Sequence, residues 1–174
     1  MVPDKVNELR FQAGVWYFRL HLGLGEVSDL NAWADEEILR HGELPEGFLE
    51  LSLVTSEQDA LLLLNAQTAG EFSLDMCRSA LAALSPDADM SFVRARHMIK
   101  FLLDWTFETD WAWNGWGRVI QSLEEYVDCY THEPDVYPMP QNFPNWVRDL
   151  FLALSREEDA PEIHPWPERA RDHS

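Results

Sequence analysis

Residues 22–53, LGLGEVSDLNAWADEEILRHGELPEGFLELSL, decide how this chain is read. Within them Val27, Leu30, Ala34 and Ile38 recur at three- and four-residue spacing, the pattern of one buried helix face, and Trp33 lies beside that stripe. Asp29, Asp35, Glu36 and Glu37 fall largely off it, so the predicted helix, from near Glu26 to near His41, has an acidic outer side. Gly42 stops the helix and Pro45 sits in the turn that follows. Phe48, Leu49, Leu51, Leu53 and Val54 then form a short apolar segment. Leu49, Leu51 and Leu53 alternate with Glu50 and Ser52, as a strand would, but a short helix suits a chain whose other segments carry helical spacing.

Upstream, Val6, Leu9, Ala13, Trp16, Tyr17 and Leu20 mark a helix over Lys5–Leu22. Gly23 and Gly25 end it, because glycine accepts the left-handed backbone of a helix C-terminus. This G-x-G follows no strand and lacks a third glycine in register, which argues against a dinucleotide-binding turn. Downstream, Ser56 and Asp59 cap a helix that runs to about Thr68 and stops at Gly70. Another covers Ser73–Leu84 and closes at Ser85-Pro86. A long helix over Ala88–Phe107 is apolar enough to be central, and its Arg94, Arg96 and Lys100 are expected to pair, inside the fold, with the acidic tract between Leu20 and Cys77.

WTFETDWAWNGWG, residues 105–117, places four Trp within twelve positions. Core packing at a helix–loop–helix corner accounts for them, with a protein interface or a sugar or base platform as the alternatives. A helix over Arg118–Thr131, a Pro-rich loop over 132–144 and a last helix over Asn145–Ser155 complete the pattern. The predicted fold is all-α: a single-domain bundle of about six to eight helices over residues 1–155, followed by a flexible, charged, Pro-containing tail over 156–174.

The charge narrows the partner. Thirteen Lys and Arg stand against 31 Asp and Glu, a net charge of −18. Between Leu20 and Cys77 there are twelve acidic residues and one basic residue, Arg40. Binding to nucleic acid or an anionic membrane needs Lys and Arg to displace counterions, so neither is the expected partner. A basic protein is, or else the acidic face serves solubility alone. There is no run of about 18 apolar residues to span a membrane. The N-terminus MVPDKVNELRF has no secretory pattern. Cys77 and Cys129 read as reduced thiols of a cytoplasmic protein.

Motifs for catalysis are thin. Glu125, Asp128, Cys129 and His132 fall near one helical face and are the best metal candidates, but no E-x-x-H, H-E-x-x-H or C-x-x-C supports them. G-x-S-x-G and the phosphate-cradling G-x-x-x-x-G-K-[ST] are missing too. No cofactor, metal or catalytic residue is assigned. A carboxylate-rich or metal-dependent enzyme stays open as an alternative, as does a general acidic module that mimics DNA.

The order Leu22-Gly23-Leu24, Trp33-Ala34-Asp35, Pro45 and Leu49-Glu50-Leu51-Ser52-Leu53 resembles small helical bacterial immunity proteins of polymorphic toxin systems, over 32 of the 174 residues. That resemblance implies an acidic protein that neutralises a cognate toxin by covering a basic surface or active site. Such a role needs charges and an apolar anchor together. The residues expected to contact the partner are Trp33, Asp35, Glu36, Glu43, Glu46 and Glu50, with Trp111, Trp113 or Trp116 as further anchors.

Overall fold

The computed structural model describes residues 3–41, 44–87, 89–107, 115–136 and 138–161. They form eight α-helices and, among the described residues, no strand: α1 (Pro3–His21), α2 (Val27–Arg40), α3 (Phe48–Leu53), α4 (Glu57–Thr68), α5 (Leu74–Leu81), α6 (Phe92–Phe107), α7 (Gly115–His132) and α8 (Phe143–Ser155). The all-α expectation therefore holds, and the segment at 48–53 is helix rather than strand. Contacts divide the chain into two compact units, Met1–Ser85 and Pro86–Ser174.

In the first unit α1 packs against both α4 and α5, α2 packs on α3, and α3 reaches α4. Two helix neighbours require more than one buried face. Beyond the predicted stripe, Val15 and Phe18 of α1 are buried with Leu9, Ala13, Trp16 and Leu20. Gly14 faces α5 so closely that a Cβ there would collide with the Met76 sulfur. The shared core joins Ala13, Trp16 and Leu20 to Leu30, Ala34, Leu51, Val54, Ala60 and Leu64. Helix ends follow local chemistry. The Gly23 N–H bonds Leu20 O (3.0 Å) and the Leu24 N–H bonds Arg19 O (2.7 Å), with Gly23 at φ 62°, so α1 closes in a left-handed cap. Ser56 and Ser73 accept the backbone N–H groups of Asp59 and Met76 at the starts of α4 and α5.

In the second unit α6 packs on α7 and α8. Ala95, Met98, Ile99, Leu102 and Trp105 of α6 are buried, as are Leu123 and Val127 of α7 and Val147, Phe151 and Leu154 of α8. Phe143 centres an aromatic group, with ring centroids 6.3 Å from Phe92, 5.7 Å from Tyr130 and 5.9 Å from Trp146. α6 begins later than its apolar content suggests, because the Ser91 hydroxyl accepts the Arg94 N–H (3.2 Å) and fixes the first turn there. Lys100 pairs with Asp104 on the next turn of α6 itself (3.6 Å).

Residues 156–161, read from sequence as the start of a frayed tail, return to α7. The Trp116 indole N–H donates to Glu158 O at 2.9 Å, and a Cβ on Gly115 would stand 2.8 Å from the Ala160 Cβ. Trp105 and Trp116 are buried, while Trp111 and Trp113 lie outside the described residues.

Candidate binding face

Within the acidic stretch 22–53, α2 and α3 pack together as a helical hairpin. Its clasp is Asn31 on α2, whose side-chain amide donates to Leu51 O (2.7 Å) and Val54 O (3.1 Å) at the end of α3. Carbonyls at a helix C-terminus have no partner within the helix, so one side chain here satisfies two of them. Phe48 anchors the other end of α3. It is buried, and its ring centroid lies 5.5 Å from that of Trp33. Gly47, at φ 95°, makes the turn into α3, and Gln67 of α4 donates to Glu46 O beside it.

This geometry sorts the predicted contact residues. Asp35 and Glu36 are exposed on α2, and Glu46 and Glu50 are exposed at the turn and on α3. Among the described residues none of these four carboxylates forms an ion pair. Glu43 lies outside the described residues. Trp33 is partly buried, with its ring 6.2 Å from Trp16 and against Phe48, so most of its surface is committed to the core. Glu37, placed off the apolar stripe by sequence, turns inward. It is 7% exposed and is held by Arg40 and by His41 Nε2 at 3.1 Å. The one Lys or Arg of the acidic tract is thus spent on an acid that faces the protein.

Beside Trp33, α3 adds exposed leucine. Helix α3 turns Phe48 and Leu51 inward and leaves Leu49 and Leu53 at 64% and 72% exposure. Spaced by four residues, they share one side of the helix. Two hollows flank the turn. One, of about 510 Å³, is lined by Arg10, Phe48, Leu63 and Gln67, with Glu46 and Glu50. The other, of about 380 Å³, has Ile38, Leu44 and Leu49 as walls and again Glu46 and Glu50. Sequence reasoning missed Asn31, Gln67 and the outward leucines. The leucines were within reach, because Phe48 and Leu51 at helical spacing leave positions 49 and 53 on the opposite side.

The metal candidates do not assemble. Asp128 and His132 approach each other at 3.0 Å, both side chains being 68% exposed, and Glu125 accepts from Gln121 (3.4 Å). Among the described residues no group of three or more His, Cys, Asp or Glu could hold a metal ion.

Both cysteines are free. Burial pushes the Cys77 thiol well above its usual range, against a smaller opposing pull from Arg78. Cys129 is raised by burial, then by Asp128, Glu133 and Glu125. A raised thiol pKa means less thiolate at neutral pH, so alkylation should be slow and should go on accelerating beyond about pH 8.5, where an unperturbed thiol levels off. Mass spectrometry after iodoacetamide should find Cys129 modified first and Cys77 only on unfolding. Labelling of native Cys77 at the rate of a free thiol would contradict its buried state.

No protein-family model, curated protein or solved structure matches the chain. Among the described residues, no helix is long and apolar enough to cross a membrane.

Proposed function

We propose that the chain is a cytoplasmic, acidic binding protein rather than an enzyme. Its role is that of an immunity protein, neutralising a cognate bacterial toxin by covering a basic surface or active site. The observation that carries this reading is the pairing of two exposed leucines of α3, Leu49 and Leu53, with the unpaired carboxylates of Glu50 on the same helix and Glu46 in the turn before it. Asp35 and Glu36 extend the acidic side along α2. The charge of −18 and the resemblance over residues 22–53 support the same reading.

The two components do different work. A strongly acidic surface speeds encounter with a basic cleft and rejects acidic competitors. Desolvated apolar residues at the centre then slow dissociation. Trp33 contributes the part of its ring that the core leaves uncovered.

Co-expression with the product of the adjacent upstream gene should restore growth and yield a complex that co-purifies. That complex should weaken as salt rises from about 0.1 to 1 M, where the screening length falls from about 10 to 3 Å. A neighbour that is neither toxic nor bound would remove the proposal. Capture of several unrelated basic proteins would favour a general DNA-mimicking module instead.

A further inference from the structure

Building on the first unit as the face that meets a basic protein, we propose how that face recognises its partner. The hollow walled by Ile38, Leu44 and Leu49 receives one arginine side chain from an amphipathic segment of the partner, and apolar residues of that segment cover Leu49 and Leu53.

Three observations converge on this occupant. The walls are aliphatic, suiting the methylene stem of a long basic side chain, which packs along apolar surface while its head stays polar. Glu46 and Glu50 line the same hollow and could meet a guanidinium, whose planar fork pairs with carboxylates better than an ammonium does. Among the described residues none that lines it is basic, whereas the neighbouring hollow contains Arg10, already 3.7 Å from Glu71. Leu49 belongs both to the wall and to the exposed pair, so hollow and leucines form one continuous surface. Charge decides between occupants. A second copy of this chain would bring a further −18, and an anionic bilayer would be repelled in the same way.

The test uses the full chain and a short synthetic amphipathic peptide with arginines on one helical side and leucines on the other. Fluorescence anisotropy gives the affinity, and methyl NMR follows Ile38, Leu49 and Leu53. Those three methyl groups should shift on titration. Replacing each arginine of the peptide by citrulline, which is neutral and similarly shaped, should weaken binding about tenfold or more. Glu46→Gln with Glu50→Gln should weaken it about tenfold, as should Leu49→Ser with Leu53→Ser. Glu8→Gln with Glu57→Gln removes the same charge at exposed positions outside the face and should cost less than about threefold.

Equal losses from the two acidic pairs, or unmoved methyl groups, would overturn the site. Rescue of growth by the co-expressed chain together with unmoved methyl groups would overturn this site and leave the proposed function standing. Peptide binding with the expected pattern but no rescue would do the reverse.

Discussion

Phe48→Ala is expected to destabilise the first unit by about 3–5 kcal/mol, the range for removing a fully buried phenylalanine. The ring is 1% exposed and stacks obliquely on Trp33 at 5.5 Å. It is the first residue of α3, directly after the left-handed turn at Gly47, and it lines both hollows. Its loss combines the transfer of the ring to water with a cavity that the hairpin can close only by moving α3. Leu49→Ala and Leu53→Ala, on the same six-residue helix, should change stability by no more than about 0.5 kcal/mol, because both side chains are already largely in water. Urea titrations followed by tryptophan emission measure all three. A loss below about 1 kcal/mol for Phe48→Ala would show that the ring does not hold α3 in place. The contrast matters for function, since it separates residues that build the face from residues that present it.

That division explains what the sequence could and could not reveal. Helices with strong local signals are legible: Ser56 caps α4, Gly23 closes α1, and the stripe Leu30–Ala34 faces the core. These features depend on neighbours a few residues away, which periodicity records. Asn31 is different. Its partners lie 20 and 23 residues downstream, and nothing in its local pattern marks it as a clasp. The charge count was equally legible, but its distribution was not. Glu37 sits among three other acids of α2, yet its spacing to Arg40 and His41 turns it inward and removes it from the outer face. The converse holds on α3, where the apolar residues of 48–54 form one run in sequence but face both inward and outward. A helix of six residues cannot bury Leu49 and Leu51 against one neighbour, because positions two apart point about 200° from each other. The candidate face therefore gains Leu49 and Leu53 as exposed apolar residues beside a partly buried Trp33, while Asp35, Glu36, Glu46 and Glu50 are all exposed.

Asn31→Ala should cost about 2–3 kcal/mol, nearly as much as a core truncation, although it removes only an amide. The amide satisfies two carbonyls at the end of α3, Leu51 O at 2.7 Å and Val54 O at 3.1 Å. Alanine leaves both without their donor in a part-buried setting, where the lost pairing is not fully replaced by water. Asn31→Asp is the sharper test. It preserves shape but at neutral pH supplies only acceptors, so a carboxylate would face two carbonyl oxygens, and the loss should exceed that of Asn31→Ala. Protonation restores one donor. The introduced carboxyl should therefore have a folded-state pKa above its unfolded value of about 3.9. For a group shifted in that direction, the folded form is favoured below the unfolded pKa, and the advantage is lost as pH rises through the folded value. Measured against wild type at each pH, Asn31→Asp should thus recover stability toward pH 4 and below, while Asn31→Ala should show a nearly constant deficit. Amide hydrogen exchange in α3 should quicken in both variants at neutral pH, since the clasp holds that helix to α2. An Asn31→Asp protein as stable as wild type at pH 7 would mean that the amide is not what joins the two helices. The acidic leucine-bearing face would then owe its position to Phe48 and Leu51 alone.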